Sequence, residues 1–319
     1  MIHCFDIILL IKKEGRIVLS RILEYQKAYE KALNNFKNAS EVLAVIVYGS
    51  IVTGDIWDES DIDLLVITSE KGKVETLYSK SQNIYMHIKY ISKDIFLDNF
   101  NNTLMGGTFH KAFSSGKLSY CIDKEIETVF HSSRFYTDAD RKIRNIDILS
   151  EILNLMHYAK KFYNTKRYET AYELTVLVFK NYARIKMSMQ GYITDKDIIS
   201  IAINISEEVE NTFKILVGEG EISERIYRIL TIVEVFVEKN IKEITIPIYN
   251  IIKESNMPLS VMDIQSRQEF KCINKDLSLV VHEMAKNDII YEDIREYKTK
   301  GNEFLVNEIV YSIKESGGQ

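Results

Sequence analysis

The sequence predicts an α+β chain: a mixed sheet with helices, then an all-helical bundle, then a small unit of helices and a hairpin. Three observations predict it. Short β-branched apolar runs alternate with helical stretches up to about residue 137. The periodicity then turns helical from Asp138 to about Lys239. After residue 247, short helical stretches give way to two strand-like runs. The expected domains are therefore 1–137, 138–240 and 241–319.

Taken in order, residues 15–38 place Ile22, Tyr25, Tyr29, Leu33 and Phe36 at steps of three and four, which makes one helical stripe ended by Asn38 to Ser40. Residues 41–48, EVLAVIVY, read as a buried strand. DIDLLVIT at 61–68 and IYMHIKYI at 84–91 give a second and a third. Residues 94–105 look helical, Gly106-Gly107 breaks the pattern before a short helical stretch, and Leu118 to Ile122 supplies a fourth strand. In the bundle, Ala171, Leu174, Val178, Tyr182 and Ile185 share a face; Gly191 suits a C-cap, with Thr194 or Asp195 capping the next helix. The last unit reads as helices at 248–255, 259–267 and 275–287, then a hairpin turning at Lys298 to Asn302. Three helices and a hairpin describe a winged-helix-like domain.

Composition removes several classes of function. The 319 residues are 46% hydrophobic and 27% charged, which is globular rather than disordered usage. A net charge of -5 leaves no global cationic surface for nucleic acid. Cys4, Cys121 and Cys272 form no CxxC pair, so neither a disulfide framework nor a cysteine-rich zinc site is expected. The apolar run Phe5 to Ile11 is too short to span a bilayer and contains Asp6, and no signal peptide is read. A reduced, cytoplasmic protein with no membrane partner is expected.

The chemistry is concentrated in residues 47–67, VYGSIVTGDIWDESDIDLLVI. A hydrophobic strand runs into Gly49-Ser50, and ten residues later Asp61-Ile62-Asp63 opens another. Side chains alternate along a strand, so Asp61 and Asp63 project from one face and Ile62 from the other. Two adjacent carboxylates repel unless a divalent cation lies between them, and hard oxygen ligands favour Mg²⁺ or Mn²⁺. Gly49 permits a tight turn and a close backbone approach, and the following helix start offers unpaired N–H groups to phosphate.

This arrangement resembles the DNA polymerase β-like nucleotidyltransferase superfamily, whose signature is a strand, a Gly-Ser pair, about ten residues, then Asp-x-Asp on the next strand. Ser60 and Leu64 match its usual Ser-Asp-x-Asp-Leu, and the likeness covers about residues 15–135. It implies that Asp61 and Asp63 hold the metal, that Gly49, Ser50 and Ser60 meet the nucleotide, and that an NTP gives its nucleoside monophosphate to a hydroxyl. The acceptor expected is a small, antibiotic-like molecule. Two features depart from the pattern. Ile51 and Thr53 stand where many small members carry arginines. The superfamily's third carboxylate belongs on the strand IYMHIKYI, where Tyr85, His87 and Lys89 share a face without an acid. His87 is the best positional match; its ring suits either a general base or a half-buried structural histidine. Asp94, Asp123 and Glu125 are the other candidates for the missing acid.

The stretch YAKKFYNTKRYETAYELTVLVFKNYARIKMSMQGYIT resembles the helical domains, HEPN-like bundles among them, that follow such domains. It lacks the Arg–His pair of HEPN ribonucleases. By analogy with two-domain antibiotic nucleotidyltransferases, Lys160, Lys161, Lys180 and Arg184 are candidate triphosphate contacts, Lys160 first among them. DNA binding by the last unit is not favoured, because 241–319 holds 13 acids against 10 bases. A substrate-covering or homodimer-forming role suits it better. Two alternative functions follow: transfer to a protein or RNA acceptor, or nucleotide sensing by a regulator with a degenerate site and a winged helix.

Overall fold

The computed structural model describes residues 23–54, 56–57, 59–81, 83–103, 115–132, 137–192, 197–273, 275–299 and 301–313. The chain divides into two compact units, Met1–Phe135 and Tyr136–Gln319.

In the first unit, helix α1 occupies 23–37. It is followed by β1 (Val42–Tyr48), α2 (Ser50–Thr53), β2 (Ile62–Thr68), β3 (Val74–Ser81), β4 (Ile84–Ser92), α3 (Lys93–Thr103), β5 (Lys117–Cys121) and α4 (Lys124–Ser132). The strands form one sheet in the order β3-β4-β2-β1-β5. The β2–β4 pair is parallel, and the β1–β2, β1–β5 and β3–β4 pairs are antiparallel. This is the mixed sheet with helices that the sequence predicts.

Alternation along the strands gives each face its own core. On one face Val45, Val47, Ile62, Leu64, Val66 and Met86 pack against Tyr25 and Ala28 of α1, with Tyr29, Leu33 and Phe36 around them. On the other, Ala44, Ile46, Leu65, Ile67 and Ile91 pack against Phe96 of α3 and Ile126 and Phe130 of α4. Each fully buried aliphatic side chain here contributes roughly 1.5–3 kcal/mol. Both central strands are thus covered on two sides, which is why β1 and β2 read as near-continuous apolar runs.

Strand β3 is an addition to the sequence reading, which places no strand between 68 and 84. Its residues are exposed from Val74 to Lys80. The short helical stretch expected after Gly106-Gly107 lies outside the described residues, as does the Thr194 or Asp195 cap.

The second unit opens with α5 (Asp138–Asn164), whose N-cap Thr137 accepts a hydrogen bond from the Asp140 N–H at 3.1 Å. Next come α6 (Tyr168–Met189), α7 (Ile198–Ile205), α8 (Glu207–Val217) and α9 (Ile222–Ile244). Gly191 follows α6 with φ 92, and the Tyr192 N–H returns to the Met187 carbonyl at 3.0 Å. This is the left-handed C-terminal bend expected of it. The bundle core includes Val178, Phe179, Tyr182, Ile229, Val233 and Phe236.

The unit ends with α10 (Ile246–Glu254), α11 (Val261–Gln265), α12 (Ser278–Lys286) and the hairpin β6 (Tyr291–Lys298) and β7 (Phe304–Ser312). Ser260 and Asp263 cap α11 reciprocally. Leu259 bridges Tyr311 of β7, and Arg295 of β6 binds Asp263 at 2.9 Å and Glu308 at 2.7 Å. Among the described residues no helix is long and apolar enough to cross a membrane.

Candidate active site at the mouth of the central strands

The site begins where β1 runs out. Gly49 takes φ 80 and ψ -157, a combination that residues with a Cβ rarely adopt. The Val52 and Thr53 N–H groups return to its carbonyl at 3.0 and 3.2 Å. Ser50 opens α2, a single helical turn in which the first N–H groups have no intrahelical acceptor. A methyl group on Gly49 would overlap the Asp63 carboxylate. The glycine therefore serves two needs: it makes the bend, and it lets the bend touch the acid.

Asp63 comes from the second residue of β2 and Asp61 from just before it. Ile62 is fully buried on the α1 face, so the two carboxylates share the opposite face, as the alternation predicts. The register sets a row across the sheet. Tyr48 pairs Asp63, Asp63 pairs His87, and His87 pairs Tyr78. His87 Nδ1 lies 3.4 Å from Asp63 Oδ1. The Tyr78 ring stacks on the imidazole, with centroids 4.7 Å apart and planes inclined by 5°. Asp61, Asp63 and His87 each bring one ligand atom into a common space, all within 4.8 Å of one another. The phenol of Tyr48 registers this charge: burial first, then Asp63 and Asp61, push it up to about 12.

The loop carrying Asp61 is tied down from α1. The buried Tyr25 hydroxyl donates to the Ser60 carbonyl and, at 3.4 Å, to the Trp57 carbonyl. The Ser60 hydroxyl accepts the Trp57 N–H at 3.0 Å, and the Ser60 N–H returns to the Trp57 carbonyl at 3.0 Å. Ser60 is 7% exposed, so its hydroxyl shapes the loop from within. The Trp57 ring itself is exposed.

The alternative acids lie elsewhere. His87 stands near the start of β4 and Ser92 at its end, five residues or about 16 Å away. Asp94 follows that far end, in the first turn of α3. Asp123 and Glu125 pair with Lys93 at 2.7 and 2.8 Å, and Asp123 caps α4 through the Glu125 and Ile126 N–H groups. Of the bundle cations, Lys160 pairs with Glu234 at 2.7 Å and Arg184 donates to Asn181 at 3.0 Å. Lys160, Lys161, Lys180 and Arg184 all belong to the second unit. Sequence reasoning missed Tyr48 and Tyr78 as neighbours of the acids, and Tyr25 as the clamp.

With this geometry in view, the comparisons with known proteins are consistent. The family model "Polymerase beta, Nucleotidyltransferase" matches residues 30–125. A nucleotidyltransferase-like protein from Exiguobacterium sibiricum 255-15 superposes with a TM-score of 0.68 at 14% identity, over 91% of this chain and 99% of that one. At that identity the likeness is one of fold. No curated protein matches the chain. The Gly-Ser bend, the Asp pair on the neighbouring strand and the family match over the same segment identify residues 30–125 as a polymerase β-type nucleotidyltransferase domain.

Proposed function

We propose that this domain moves a nucleoside monophosphate from an NTP to a hydroxyl of a small, antibiotic-like acceptor. The observation that carries the reading is the contact between bend and acid, with Gly49 packed so closely on Asp63 that no Cβ fits between them. A phosphate held at the bend would thereby lie beside the carboxylates. The donor set suits a divalent ion, Mg²⁺ or Mn²⁺, with Asp61, Asp63 and His87 as the residues that would hold it. Such an ion, when bound, neutralises triphosphate charge and polarises the phosphorus–oxygen bonds.

The chain's own groups do the rest. Gly49 and Ser50 present backbone N–H groups to the terminal phosphates. The row Tyr48, Asp63, His87 and Tyr78 fixes where the α-phosphate and the acceptor hydroxyl meet. The acceptor hydroxyl gives up its proton to solvent as its oxygen bonds to the α-phosphorus, the bond to the bridging oxygen breaks, and pyrophosphate leaves. Lys160 is left out of this set because Glu234 already engages its ammonium group. Residues 241–319 read as a winged-helix-like unit, since three helices precede a hairpin whose second strand bridges Leu259. Its acidic balance suits a role in covering substrate or pairing copies.

The test is pyrophosphate release from each of the four NTPs with a panel of aminoglycoside and lincosamide acceptors. Asp63→Asn should lower the rate on the order of a thousandfold, several kcal/mol of transition-state stabilisation. An unchanged rate in that variant would refute the assignment. A labelled protein or RNA product would move the acceptor to a macromolecule. Nucleotide uptake with no pyrophosphate release would leave the sensing function in its place.

A further inference from the structure

We infer that His87 makes this site select a transition-metal ion such as Mn²⁺ over Mg²⁺. The inference rests on the proposed reading of Asp61 and Asp63 as the ion's carboxylate ligands. Among the described residues, Asp61, Asp63 and His87 are the group of three whose donor atoms converge. The set is two oxygens and one imidazole nitrogen. Mg²⁺ sheds water reluctantly and takes oxygen donors in near-ideal octahedral geometry, whereas first-row transition ions accept imidazole, Mn²⁺ less strongly than Fe²⁺, Ni²⁺ or Zn²⁺ but more readily than Mg²⁺. Replacing a third carboxylate by histidine also removes one negative charge, which weakens the hold on a hard ion most.

Geometry favours the nitrogen as a ligand. The separation of 3.4 Å between His87 Nδ1 and Asp63 Oδ1 is long for an N–H···O hydrogen bond, which peaks near 2.9–3.0 Å. Two donors at right angles on one ion, with bonds of about 2.1–2.2 Å, stand about 3.0 Å apart. A small contraction around an ion brings the pair to that spacing. The ring is also held in orientation before any ion arrives. Its backbone is fixed by the Asp63–His87 register, and its plane lies parallel to the Tyr78 ring. A ring already held in orientation loses less freedom when it takes up an ion. Among the described residues, the other candidates for a third acid, Asp94, Asp123 and Glu125, lie toward the other end of the strands.

The experiment is metal binding by the full-length chain, without nucleotide or turnover. Calorimetry with Mn²⁺ alone and with Mg²⁺ alone gives the affinity ratio, and pulsed EPR of the Mn²⁺-loaded protein reports nitrogen in its ligand shell. Wild type is expected to show ¹⁴N modulation. His87→Asp should lose that modulation and lower the Mn²⁺/Mg²⁺ affinity ratio by about tenfold. Asp63→Asn should lose both ions. Bound Mn²⁺ with no ¹⁴N coupling in wild type, or an unchanged ratio in His87→Asp, overturns the inference and leaves the carboxylate site intact. Failure of wild type to bind either ion, or full binding by Asp63→Asn, overturns the carboxylate reading itself.

Discussion

Asp63 and His87 face each other directly across the parallel β2–β4 pair, with carboxylate oxygen and imidazole nitrogen 3.4 Å apart. The register produces this meeting, because the two residues are Cα partners in neighbouring strands. The site is therefore built on the central strands of the sheet, which are covered on both faces, and its loops bring Gly49, Ser50 and Asp61 to that edge.

Gly49→Ala is expected to damage fold and site together. A Cβ at φ 80 costs on the order of 1–2 kcal/mol, and the methyl group must also push the Asp63 carboxylate aside. Thermal unfolding should show the destabilisation, and Mn²⁺ titration should show weakened binding in the fraction that remains folded. Unaltered metal affinity in a folded Gly49→Ala protein would contradict the contact.

Tyr25→Phe removes the hydroxyl that holds the Ser60 and Trp57 carbonyls. The loss should be about 1 kcal/mol in stability, as for a single neutral hydrogen bond. Because Ser60 adjoins Asp61, metal affinity should fall as well, while the packing of the ring against the sheet persists. Denaturant melts and calorimetry measured on the same samples would check both.

The Lys93–Asp123 pair sets a pH dependence of stability. The Lys93 hydrogen bond holds the Asp123 carboxyl below its ordinary value of 3.8, and Asp123, with Glu125, raises the Lys93 ammonium above 10.5. A lowered acid stabilises above its unfolded pKa and loses that contribution as pH falls through its folded one. A raised base stabilises below its unfolded pKa and loses that contribution as pH rises through its folded one. Asp123→Asn should therefore lower Tm at pH 7 and converge on wild type near pH 2. A Tm difference that stays constant over this range would show that the pair is not the cause.

Arg295→Met should loosen the hairpin. Arg295 joins Glu308 of β7 to Asp263 of the α11 cap, and burial notwithstanding, hydrogen bonds from Ser260 and Arg295 keep the Asp263 carboxyl low. Amide exchange across β6 and β7 should quicken in the variant, with the bundle helices unaffected. Equal protection in both proteins would mean that the Leu259–Tyr311 bridge suffices.

Much of this was legible in the sequence because burial writes a pattern. β1 and β2 are covered on both faces and read as apolar runs; Asp61 and Asp63 interrupt such a run at a spacing of two, which placed them on one face. The resemblance assigns the third acid to this strand, and the alternation of β4 puts His87 on the face it shares with the Asp pair. β3 was not legible, because VETLYSKS is an edge strand exposed along nearly its whole length and carries no burial signal. The neighbours of the acids were hidden for a different reason. Tyr48 and Tyr78 meet the site through pairing register, and Tyr25 reaches Ser60 across 35 positions of chain. No local spacing encodes such contacts.

The touching of Gly49 and Asp63 also bears on how such a domain diverges. The two positions are linked, since any larger residue at the bend must push the acid aside, and loss of the acid lifts that steric limit while the positive φ of the bend still favours glycine. A chain that loses the acid should therefore still keep the glycine, whereas one that loses the glycine should lose the acid's placement with it.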